Sequence, residues 1–314
     1  MNVLCLRGDL QLKQKLIASL AVFTLLVTLI LPTTSQAATN AVNAINEKLG
    51  VPIVVYGANL SAEEKEYVKM ALRVEQDPEF DEVSISGQDL VKYIKNSNSN
   101  SRMYSSAKIT RQEEGKGLTI SIVTPENITQ VTAEMYATAM LTAGITDAIV
   151  EVAAPKPVTG HSALVGIYKA YELKSGETLD IERTDVANEE LSVATDLASK
   201  SGVSEDQVAE LLTQIKKTIA EKNPATREEV EQIVTDQLNK LNINLSESDL
   251  DGLVDLMNRI SKLDIDFGKL SDQLTSLSKS FEEKFGAILQ DEGFWQGVKN
   301  FFTKLIDTIS SWFK

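Results

Sequence analysis

The chain is short of cysteine, histidine, aromatic residues and positive charge, and each shortage excludes something. Of 314 residues one is cysteine, Cys5, and one is histidine, His161. A disulfide framework and a cysteine–histidine metal centre both need more. The sixteen glycines form neither a phosphate loop nor a dinucleotide fingerprint, so no nucleotide cofactor is expected. Lysine and arginine number 31 against 45 acidic residues, a net charge of −14. Such a surface repels nucleic-acid phosphates, and no basic stripe lies outside the C-terminal tail. Nucleic acid is not an expected partner.

What is present begins with a three-part leader. Arg7, Lys13 and Lys15 precede the apolar run LIASLAVFTLLVTLIL at 16–31, Pro32 breaks it, and Ser35-Gln36-Ala37 supplies small residues for a signal peptidase. The run is too short for a comfortable span. The order predicts a secretory signal peptide, residues 1–37, cleaved after Ala37, and a protein at the outer face of the cell envelope. Cleavage removes Cys5, three positive charges and Asp9, leaving a net charge of −16.

Residues 38–178 read as a mixed α/β domain. PIVVYG (52–57) is a buried-strand pattern, and Ser61-Ala62-Glu63-Glu64 is a capping box opening a helix to about residue 73. RMYSSAKITRQ and GLTISIVTP flank Glu113–Gly117 like the arms of a hairpin. A helix is expected near 128–143, a strand at DAIVEVAAP, and after Pro155-Lys156-Pro157 a helix from about 162 to 174. NSNSNS (96–101) is a polar loop. From 179 to 292 no strand pattern survives, and Ser204-x-x-Gln207 and Thr226-x-x-Glu229 are capping boxes of an all-α helical domain. Ile260, Leu263, Phe267, Leu270, Leu274, Leu277 and Phe281 alternate three- and four-residue spacing, a coiled-coil-like seam on one long helix over 249–289. The preferred reading packs this seam inside the chain, and self-association is the alternative.

Chemistry is sparse. His161 enters a helix after a strand, as Ser61 does after Gly57-Ala58-Asn59-Leu60. If the two preceding strands run the same way, both helix starts open on one sheet edge, where ligands often bind. Asn59, Ser61, Thr159, Gly160, His161 and Ser162 are therefore the candidate ligand-binding residues. No nucleophile elbow accompanies His161. Glu247 to Val254 imitates an EF-hand start, but position 12 is Asn258, so no metal is expected. Ser276-x-x-Lys279 lies inside the heptads without its companion motifs. No catalytic residue is assigned, and the balance favours a non-enzyme. The alternative is an envelope hydrolase, acting on peptidoglycan or an ester through carboxylates of the α/β domain.

PKPVTGHSALVGIYKAYE (155–172) and LNINLSESDLDGLVDLMNRISKLDID (241–266) resemble the signature stretches of the YpuA-like secreted proteins of Gram-positive bacteria, a domain of unknown function. The resemblance covers nearly the whole mature chain. It implies an exported, envelope-associated protein without a known active site. In that pattern the slot of His161 is usually small or acidic, which argues further against catalysis by it.

The tail, 293–314, holds both tryptophans. On a helical wheel Phe294, Trp295, Phe301, Phe302, Trp312 and Phe313 share one apolar arc of about 140° with Val298, Leu305, Ile306 and Ile309. The other face is polar, so this amphipathic C-terminal helix is a docking surface and not a span. It meets the protein's own helical domain, the membrane surface or a partner protein.

Overall fold

A computed structural model describes residues 49–200, 203–266 and 268–277, all within the unit Ile45–Lys314. The leader, residues 38–48 and the 293–314 tail lie outside the described residues.

Five strands form one mixed sheet in the order β2-β1-β3-β5-β4. They are β1 (Ile53–Gly57), β2 (Asp81–Ile85), β3 (Ser106–Arg111), β4 (Leu118–Ile122) and β5 (Ala148–Ala153). All five residues of β1 are buried because both faces of this strand are covered, which explains its unbroken apolar run. On one face lies α1 (Ala62–Ala71), started by the expected Ser61/Glu64 capping box. Its Val68 and the capping residue Leu72 pack with Val54, Tyr56 and Ala153. On the other face lie α2 (Gly87–Tyr93), α3 (Ala133–Ala143) and α4 (His161–Ser175), then α5 (Ile181–Lys200), α6 (Glu205–Lys222), α7 (Arg227–Lys240) and α8 (Glu247–Ile260). One cluster of buried residues runs from Ile53 to Leu263, across the expected boundary at 178/179.

The helical layer is joined by a buried polar knot. The Lys216 ammonium in α6 donates to Glu190 Oε1 at 2.7 Å, to the Thr138 carbonyl at 2.7 Å and to Thr142 Oγ1 at 3.0 Å. Thr142 in turn donates to Glu190 Oε2 at 2.5 Å. Lys216 and Glu190 are sealed from solvent, so every ammonium hydrogen needs the partner it has.

The structure corrects three expectations. β3 and β4 do not form a hairpin: β5 lies between them, antiparallel to β3 and parallel to β4. Residues 112–117 arch over the start of β5, where Asp147 accepts from Gln112 N through its carbonyl and from Gly117 N through its side chain. The helix expected from about 128 starts at Ala133, where the Thr132 side chain caps it. Residues 128–129 instead bridge to Val158.

The long seam helix is also interrupted. α8 ends at Ile260, and a new helical stretch occupies 268–277 after Asp266, whose side chain accepts from the amides of Gly268 and Lys269. Arg183 holds the link, donating to the Asp264 carbonyl and to the Thr142 carbonyl at the end of α3. The described seam residues pack within the chain: Ile260 and Leu263 join the main core, and Leu270 and Leu274 bury against Leu141. β2 and α2 had no counterpart in the sequence reading.

Candidate functional site

The site begins with a ladder that stops. In the β3–β5 pair, Ser106 lies opposite Ala153 and Lys108 opposite Glu151, and one position past the strand end Gln112 N donates to the Asp147 carbonyl. Even-numbered residues of this strand therefore turn their backbone groups toward β5. Odd-numbered ones turn toward β1, and Met103 keeps that sense upstream. Its N–H donates to Asn59 Oδ1 at 2.7 Å and its carbonyl accepts from Asn59 N at 3.1 Å.

Carried upstream, the register would place Pro155 opposite Tyr104 and Pro157 opposite Arg102. Neither proline has an N–H to give, so the ladder cannot continue. The two chains part, and a cleft of about 690 Å³ opens between 101–104 and 158–162.

The wall formed by 99–104 is held close by absent side chains. A Cβ on Gly57 would lie 2.3 Å from the Met103 carbonyl oxygen, and one on Gly87 2.3 Å from that of Ser99. Opposite, Gly160 caps α4 with φ 104°, and the buried Tyr136 hydroxyl donates to its carbonyl at 2.6 Å. Leu90, Ile94, Met103, Val158 and Val165 give the cleft its apolar surface. Asp185, Asn188, Glu189 and Ser192 of α5 close the far side. Arg259 of α8 pairs with both Asp185, at 3.2 Å, and Glu189, and Asp185 also accepts from the amide of Lys95.

His161 is the first residue of α4. Desolvation holds its pKa below the ordinary 6.5, against the opposing pull of Asp196. Nε2 lies 3.4 Å from Thr195 Oγ1, whose own hydrogen goes to the Ser192 carbonyl. With its hydrogen so placed, Thr195 Oγ1 is available to accept from Nε2.

Of the six candidate residues, Thr159, Gly160, His161 and Ser162 line the cleft together. Asn59 and Ser61 do not. Asn59 fixes Met103, and Ser61 caps α1 at the surface. A chain of contacts still joins the two junctions. Glu64, the partner of Ser61 in its capping box, pairs with Lys156 at 2.8 Å, and the Lys156 ammonium lies 3.9 Å over the Tyr104 ring. The two preceding strands run the same way with β3 between them. Leu90, Ile94, Arg102, Tyr104 and the α5 residues were not anticipated, because their approach depends on contacts far apart in sequence. Pro155 and Pro157 were the visible signal. Phe294, Trp295, Phe301, Phe302, Trp312 and Phe313 lie outside the described residues. Among the described residues, no group of three or more His, Cys, Asp or Glu could hold a metal ion, and no helix is long and apolar enough to cross a membrane.

Comparison with known proteins gives a family. The chain matches the family described as protein of unknown function (DUF1002) over residues 56–277. The uncharacterized protein YpuA of Bacillus subtilis (strain 168) is 36% identical over 280 residues, covering 87% of this chain and 93% of that protein. No solved structure matches.

Proposed function

The chain belongs to the DUF1002 family, and from that premise we propose that it works outside the cytoplasmic membrane as a non-catalytic binding or scaffolding protein. The cleft carries this reading. It combines an apolar floor with a few convergent polar groups, the make-up of a ligand site, in a volume within the usual range. The leader pattern supports the location. The hydrolase alternative draws no favouring observation, since the two carboxylates that line the cleft come from α5 and are engaged by Arg259.

In this reading the tail, 293–314, is the docking element, and it returns to the protein's own helical part. The burial of Leu270 and Leu274 against Leu141 supports that direction, because the chain upstream of the tail already folds back.

Two experiments test the proposal on residues 38–314. Titration with the apolar dye 1-anilinonaphthalene-8-sulfonate is expected to give one saturable fluorescence gain, lost when the rim variant Thr159→Trp fills the cleft. A gain that the variant leaves unchanged, or none, contradicts the binding reading. Sedimentation with anionic liposomes is expected to be equal for chains ending at 314 and 292. Selective sedimentation of the longer chain would replace self-docking by membrane docking.

A further inference from the structure

The open edge beside the cleft identifies a class of guest. The Met103 backbone faces Asn59, so the strand sense turns the N–H and C=O groups of Arg102 and Tyr104 to the opposite side. Among the described residues, no hydrogen bond engages the backbone of either one. Both residues line the cleft, and Pro155 and Pro157 occupy the positions that would have paired with them. Gly57 and Gly87 let this segment lie close against them, and the two bonds between Met103 and Asn59 tie it there.

Two donors and two acceptors at strand spacing, above an apolar floor, are met best by another peptide backbone. We propose that this edge binds an extended peptide segment of another protein by strand addition. The guest's backbone pairs with Arg102 and Tyr104, and alternate apolar side chains enter the floor made by Leu90, Ile94 and Val165. The proposal rests on the cleft being a binding site and adds what binds there. A fatty acid or other apolar small molecule could fill the floor but could not satisfy a row of alternating amide and carbonyl groups. Pro155 and Pro157 add a directional feature. They have no N–H to offer the guest's other edge, so the alternate amides of the guest that pair with Arg102 and Tyr104 are the ones that must be free.

That asymmetry gives the test. Fluorescein-labelled pentapeptides of the form Thr-Xaa-Thr-Xaa-Thr, with Xaa alanine, valine or leucine, are titrated into residues 38–314 by fluorescence anisotropy. The best binder is then remade with N-methyl groups on its threonines or on its Xaa residues. The expected result is saturable binding, a loss of at least tenfold in one methylated form, and no comparable loss in the other. The Tyr104 amide should gain protection from hydrogen exchange in the complex. Equal behaviour of the two methylated forms overturns strand addition, as does absence of binding by all three peptides. If the dye still binds under those outcomes, the cleft survives as a site and the peptide proposal fails alone. A Tyr104 amide already protected in the free chain would also overturn it, by revealing that the protein's own backbone fills the edge.

Discussion

Lys216 has three ammonium hydrogens and three partners, all out of reach of solvent. Desolvation pushes its pKa down, and the Glu190 carboxylate opposes that shift. Removing one member of such a pair leaves a buried charge without compensation, typically about 3–5 kcal/mol of stability. Lys216→Met should therefore lose about that much in urea unfolding. Lys216→Met with Glu190→Leu should lose distinctly less than the two single losses added together. Additive losses would mean that the pair is not coupled.

His161 supplies a pH dependence of known sign. Its folded pKa lies below the unfolded value, because the charged ring is poorly solvated. The unfolded chain thus takes up the proton first, and this contribution to stability is complete above about pH 6.5. It declines as pH falls through 6.5 toward the folded value. The difference in unfolding free energy between the wild type and His161→Gln should shrink over that interval. A difference that grows on acidification would reverse the assignment.

At the scale of elements, the pair Pro155 and Pro157 decides where β5 stops bonding to β3. Replacing both by valine restores the missing N–H groups at the positions opposite Tyr104 and Arg102. The ladder should then extend, the Tyr104 amide should become protected, and binding in the cleft should fall. Unchanged exchange at Tyr104 in the double variant would remove the prolines from the explanation.

How well each element could be read in advance follows from the range of the contacts that fix it. Ser61, Ser204 and Thr226 bond within three residues of themselves, and the helices that they start were legible. The expected hairpin does not form because β4 finds its partner, β5, about thirty residues downstream, with Asp147 pinning the insertion. β2 is an exposed, acidic edge strand whose apolar signal is weak. The break after Ile260 was hidden because Leu263 and Leu270 keep the seam's spacing while Arg183, from another helix, takes the Asp264 carbonyl.

At the scale of the whole molecule, among the described residues, one core joins the sheet to the helices on one face, α1 packs in a separate cluster on the other, and one cleft opens where two strands are made to part. Thr159 to Ser162 could be placed at that opening from sequence, because a strand-to-helix junction marks a sheet edge. The opposite wall could not, because it depends on Gly57 and Gly87 receiving a backbone from 46 and 12 residues downstream. The central claim is that the edge at Arg102 and Tyr104 is open in the free protein. Residue-resolved amide exchange of residues 38–314 tests it most directly. The account predicts slow exchange at Met103, whose N–H is held by Asn59, and fast exchange at Arg102 and Tyr104 on either side of it. Comparable protection at all three positions would contradict it.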